Sequence, residues 1–153
     1  MVVSFCGHSE VYPQDRIEKE LRVVIGHLIT EGTEQFLLGG YGQFDLLAAK
    51  VVAEEKKTHP EIESILVVPY LDRKYDLALY DRTLYPGLEK APLRFAVRKR
   101  NEYMMDAADV VVAYVTHSWG GAAKTLEYAK RRNKKIIMLG SGLLQLLEIS
   151  GNN

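Results

Sequence analysis

A cationic surplus, paired cysteines and long apolar runs are all missing from this chain, and each absence narrows what it does. Its 20 Lys and Arg residues are balanced by 20 Asp and Glu. Proteins that grip extended nucleic acid usually carry excess cations, because phosphate contacts are made largely by them. Extended nucleic acid is therefore not expected as a partner, although a single nucleotide is compatible. Cys6 is the only cysteine, so no intrachain disulfide can form, and a reducing, cytoplasmic setting is expected. The four histidines are scattered without ligand spacing, so neither a metal site nor a resident cofactor is expected. No apolar run nears the ~20 residues that cross a bilayer. The start, Met1 to Cys6, lacks a basic flank and a signal-like apolar stretch. A membrane is not an expected partner.

What is present is a regular alternation of strand and helix signals. Residues 2–6 form an apolar run stopped by Gly7, and Ile17, Leu21, Val24, Ile25, Leu28 and Ile29 then recur at helical spacing up to Gly32. Phe36-Leu37-Leu38 predicts a second strand, followed by the turn Gly39-Gly40-Tyr41-Gly42 and a helix carrying Phe44, Leu47, Ala48, Val51 and Val52. Ser64 to Val68 predicts strand three, stopped by Pro69. Residues 70–95 break the rhythm with four tyrosines and two prolines, and read either as a lid or binding loop or as a surface excursion. Arg94 to Met105 predicts a helix with Val97, Met104 and Phe95 as buried contacts. Asp109 to Tyr114 predicts strand four, Ala122 to Arg132 a helix, Lys135 to Leu139 strand five, and 143–149 a short final helix. Alternating strands and helices imply right-handed crossovers and a parallel sheet. The expected architecture is α/β, a Rossmann-like three-layer sandwich with a five-stranded, mostly parallel sheet ordered 3-2-1-4-5, in one domain over 1–153.

Ligands of such sheets bind beyond the carboxyl ends of the strands. The turns there are Gly7-His8, Gly39 to Gly42, Pro69-Tyr70 and Thr116 to Gly121. Glycine lets backbone approach a ligand, and a helix N-terminus offers free N–H groups. Ser118 and Trp119 add polar and stacking groups beside Gly120-Gly121, although Trp119 also reads as a core ring. His8 reads as a phosphate or acid–base contact, or as a turn-stabilising group. Arg98-Lys99-Arg100-Asn101 is the densest basic cluster, fit to bind phosphate or to lie solvated. Asp45 and Glu127 sit on helices following glycine turns; each reads as a site carboxylate or as an ordinary helix-surface charge.

Cys6-Gly7-His8, Gly39-Gly40-Tyr41-Gly42-Gln43-Phe44-Asp45, Val68-Pro69-Tyr70, Arg98 to Asn101 and Trp119-Gly120-Gly121-Ala122 together resemble the SLOG superfamily. Within it the chain is most similar to small bacterial and phage proteins of the YpsA group. The resemblance implies a Rossmann-like fold and binding of nucleotides or nucleotide-derived ligands, in some members ADP-ribose-like signals. One branch, the Lonely Guy phosphoribohydrolases, pairs an Arg-Lys dipeptide with Pro-Gly-Gly-x-Gly-Thr-x-x-Glu. Arg98-Lys99 matches the dipeptide by identity, Arg100-Asn101 by spacing, and Glu127 falls on the motif's glutamate. Trp119, Ala123 and Lys124 replace its proline, third glycine and threonine.

The expected function is sensing or sequestration of a nucleotide-derived small ligand, such as an ADP-ribose-like or cyclic nucleotide signal. Gly7, His8, Gly39, Gly40, Tyr41, Gly42, Asp45, Pro69, Tyr70, Arg98, Arg100, Asn101, Ser118, Trp119, Gly120 and Gly121 are its expected ligand contacts. The alternative is an N-glycosidic hydrolase or transferase, with Glu127 steadying an oxocarbenium-like state and Arg98 orienting the sugar phosphate. Apolar helix faces and the tyrosine-rich segment also suggest a homodimer or higher homo-oligomer.

Overall fold

A computed structural model of the chain describes residues 1–140; the expected helix at 143–149 lies outside the described residues. In chain order the elements are β1 (Val2–Gly7), α1 (Gln14–Thr30), β2 (Gln35–Leu38), α2 (Gln43–Lys56), β3 (Glu63–Val67), β4 (Arg82–Leu84), a 3-10 turn (Leu93–Phe95), α3 (Ala96–Ala107), β5 (Val110–Tyr114), α4 (Gly121–Arg131) and β6 (Lys135–Met138). All strand pairs are parallel and the order is β4-β3-β2-β1-β5-β6. The architecture is the expected Rossmann-like sandwich.

Alternation along the strands decides the layers, because successive side chains point to opposite faces. Val3 and Phe5 of β1, Phe36 and Leu38 of β2, and Val110 and Val112 of β5 pack against α1 and α2. Cys6, Leu37, Ile65, Val67, Val111 and Ala113 face the other way and meet Met104 and Met105 of α3 and Leu126 and Ala129 of α4. The strands read as near-continuous apolar runs because both faces are covered.

Among the described residues the sheet has six strands rather than five. The extra one, β4, pairs with β3 through Ile65–Arg82, Leu66–Thr83 and Val67–Leu84. Three residues, two of them polar and exposed, are too short to leave a periodic signature. What holds this edge is polar anchoring: the Ser64 amide donates to Asp81 Oδ2 (2.7 Å), Asp81 pairs with Lys56, and Arg82 Nε donates to Glu63 Oε2 (2.9 Å). The α3 expectation also shifts. Met104 is buried, but Val97 is exposed and Phe95 half-buried, lying beneath the guanidinium groups of Arg94 and Arg98. The inner face of α3 is instead Ala96, Arg100 and Met104, one residue every four. Among the described residues no helix is long and apolar enough to cross a membrane.

Candidate functional site

Strands β1 and β5 are neighbours, with Gly7 opposite Tyr114, so the turns that follow them meet. The His8 amide donates to the Tyr114 carbonyl (3.2 Å), and the Thr116 amide donates to His8 Nε2 (2.8 Å). Accepting that bond requires His8 Nε2 to be unprotonated, which leaves the proton of the neutral ring on Nδ1. Burial, with His117 alongside, lowers the His8 pKa below the ordinary histidine value. The His8 ring stacks on His117 with centroids 3.9 Å apart, and His117 stacks on Trp119, again at 3.9 Å. Tyr114 closes the inner end edge-on against His8 at 5.8 Å. The Trp119 ring, 69% exposed, caps the outer end. The result is a three-ring stack standing over the start of α4, where Gly120 adopts φ +91°.

This stack borders a cleft of about 790 Å³ at the carboxyl ends of β1 and β5. From the expected contacts it gathers Gly7, His8, Tyr41, Asp45, Arg100, Asn101, Trp119, Gly120 and Gly121. A second chamber of about 630 Å³ adjoins it under the 70–81 segment and takes Gly39, Gly40, Pro69 and Tyr70, sharing Tyr41, Val97 and Arg100 with the first. Gly42 lines neither: a side chain there would stand 2.8 Å from Ser9 Cα. Ser118, Arg98 and Glu127 line an adjoining groove between α3 and α4, which shares Val97, Asn101, Gly121 and Thr125 with the main cleft. There the Glu127 side chain is 62% exposed and pairs with Lys130, and Arg98 pairs with Glu102. Arg98 and Glu127 thus line the same groove, whereas His8, Asp45 and Arg100 line the main cleft beside it.

Arg100 is 4% exposed and ties the strand ends together. Its Nη1 donates to the Gly39 carbonyl (2.9 Å) and the Val67 carbonyl (2.8 Å), and its Nε donates to Asn101 Oδ1 (2.8 Å). Burial works against the Arg100 charge and Asp45 supports it. Burial pushes the Asp45 carboxyl up to about 6, opposed by Arg100 and by the backbone N–H groups of Gly39 and Tyr41. Asp45 Oδ1 is buried without a hydrogen-bond partner. Such an acceptor is costly unless something satisfies it. Gly39 leaves room for this pair, because a Cβ there would lie 2.9 Å from Asp45 Oδ2. Cys6 is no nucleophile here: burial raises its thiol to about 12 and Sγ donates to the Ala122 carbonyl (3.2 Å). Among the described residues no group of three or more His, Cys, Asp or Glu side chains could hold a metal ion.

Sequence reading missed three contributors. His117 carries the middle of the stack, visible only once β1 and β5 are known to be neighbours. Tyr75 and Tyr80 line the second chamber, brought there by a segment without periodicity.

No family model matches the chain. A UPF0398 protein of Halalkalibacterium halodurans is 31% identical over 132 residues, covering 78% of this chain and 70% of that protein. The uncharacterized SPbeta prophage-derived protein YoqJ of Bacillus subtilis is 30% identical over 139 residues, covering 76% of this chain and 81% of that protein. Among solved structures, DNA processing protein A from Helicobacter pylori gives a TM-score of 0.67 at 18% identity, over 98% of this chain and 73% of that one. The molybdenum cofactor carrier protein of Chlamydomonas reinhardtii gives 0.62 at 19% identity, over 91% and 76%. The fold is that of the SLOG superfamily, and the chain belongs to its UPF0398 and YoqJ-type proteins.

One expectation is corrected by these likenesses. Balanced charge does not rule out extended nucleic acid as a partner, because the Helicobacter pylori protein of this same fold has a single-stranded DNA binding mode. The physical reason is that net charge sums the whole surface. A single strand can be held by stacking rings and a few local cations.

Proposed function

We propose that the chain binds a nucleotide-derived small molecule in the main cleft and acts as a sensor or store of that ligand. The observation that carries this reading is the His8–His117–Trp119 stack, whose outermost ring stands exposed beside the Gly120-Gly121 start of α4. An exposed indole held by a ring beneath it is a preorganised surface for a base. The adjoining helix start offers N–H groups to a phosphate, and the free Asp45 Oδ1 offers an acceptor to a ribose hydroxyl. A carrier of similar fold, the Chlamydomonas reinhardtii protein, lends the small-ligand reading its context.

Trp119 is the only tryptophan, so its fluorescence reports the site directly. Titration with AMP, ADP-ribose and NAD is expected to quench it and to release or absorb heat in calorimetry, whereas ribose 5-phosphate leaves the indole emission unchanged. Absence of both heat and quenching up to millimolar nucleotide refutes the proposal. Tighter binding of an oligodeoxynucleotide than of any mononucleotide would replace it with strand binding. Glu127→Gln, outside the lining of the main cleft, is expected to leave these affinities untouched.

A further inference from the structure

The second chamber is built largely by chain that the alternating strands and helices do not need. Tyr70, Tyr75 and Tyr80 come from the segment between β3 and β4, and Leu46 and Leu66 complete the apolar wall. Its volume of about 630 Å³ is within the range of small-molecule sites. The segment is held in place: Tyr75 Oη donates to the Tyr70 carbonyl (2.9 Å), and the Arg73 guanidinium lies 4.0 Å over the Tyr70 ring. Two features show unmet hydrogen bonding in or beside it. The Tyr80 hydroxyl is buried with no partner, and Asp45 Oδ1 beneath the divide is likewise unpaired. The chamber adjoins the main cleft along Tyr41, Val97 and Arg100, which line both.

We infer that this chamber receives the second ring of a pyrophosphate-linked dinucleotide whose first base lies on Trp119. The inference rests on the function proposed above and narrows it to a two-ring ligand. Flat rings are what tyrosine and leucine walls accept, and a ring with a polar edge satisfies the Tyr80 hydroxyl, which otherwise carries an uncompensated desolvation cost. A mononucleotide fills one cavity and leaves the other empty. A dinucleotide spans both, its sugar and phosphate linker crossing the divide beside Asp45 and Arg100.

Calorimetry of the whole chain with AMP, ADP-ribose and NAD tests this, because NAD differs from ADP-ribose by one ring. NAD is expected to bind at least about tenfold tighter than ADP-ribose, in line with what one stacked ring contributes. Tyr80→Phe deletes a buried hydroxyl that bonds nothing, so it should leave the melting temperature unchanged or higher and the AMP affinity unchanged while reducing the NAD advantage. Leu46→Trp at the partly exposed wall should narrow the chamber and reduce the advantage by crowding the second ring. NAD binding no tighter than ADP-ribose, or an advantage that survives both variants, overturns the inference even if AMP binds. Failure of all three nucleotides to bind instead overturns the proposed function itself, and this inference with it.

Discussion

Replacing Arg100 with methionine tests whether the buried charge pair organises the cleft. The substitution keeps the volume near that of the arginine stem but leaves the Gly39 and Val67 carbonyls without their donor. It also leaves the Asp45 carboxylate buried with no cation. Leaving each of these carbonyls without its donor costs ~1–3 kcal/mol, which for a domain of this size lowers the melting temperature by roughly 10 °C. The pH dependence is the decisive part. Burial already raises Asp45 from 3.8 to about 6, and Arg100 holds it from rising further. In the variant the folded-state pKa rises more, so the folded chain takes up a proton more readily than the unfolded one. Stability is then fully present below the unfolded value and is lost as pH rises through the raised folded value. The gap between wild type and variant is therefore widest at pH 8 and narrows toward pH 5, by ~1.4 kcal/mol for each unit of added shift. Urea unfolding followed by circular dichroism at several pH values measures it. The double variant Arg100→Met, Asp45→Asn should remove the narrowing. An equal gap at pH 8 and pH 5 would refute the coupling between the two side chains.

Three further outcomes are expected. Trp119→Ala should weaken nucleotide binding about tenfold or more, the worth of a stacked base, with the melting temperature nearly unchanged because the ring is exposed; calorimetry and a melting curve check both. The lowered His8 pKa means that neutral His8 contributes stability above about 6.5, lost as pH falls through its folded value. Protonation also removes the acceptor for the Thr116 amide, so nucleotide affinity should fall on acidification from pH 7 to 5; Asp45→Asn is the control for the carboxyl that titrates in the same window. Gly7→Ala would bring a Cβ to 2.2 Å from Phe44 Cδ1, and overpacking against a fully buried ring should cost ~1–3 kcal/mol, measurable as a lower urea midpoint.

Much of the site was legible, but unevenly. Gly7 and His8 end or follow β1 directly, and Trp119 and Gly120 lie in the turn between β5 and α4, so chain position alone puts them at the ligand edge of a parallel sheet. Arg100 could be preferred over Arg98 by its four-residue spacing from Ala96 and Met104, which puts it on the buried face while Arg98 points outward to Glu102. The glycines at 39 and 40 read as a phosphate cradle; sterically, Gly39 accommodates the Asp45 and Arg100 side chains, and a Cβ at Gly40 would strike Leu66. The exclusion of nucleic acid from net charge failed because charge balance is a property of composition, not of a surface.

The sequence by itself determined the layers, the strand order of the five main strands and the edge on which ligands would sit. Those follow from apolar periodicity and from the handedness of the crossovers, which are local or nearly so. Only the tertiary structure decided which side chains meet. The pairing of β1 with β5 brings His8 under His117, the burial of Arg100 ties it to the Gly39 and Val67 carbonyls, and the polar anchoring of β4 folds three tyrosines into a second chamber. Each of these contacts joins residues far apart in the chain, and no local pattern encodes their distance.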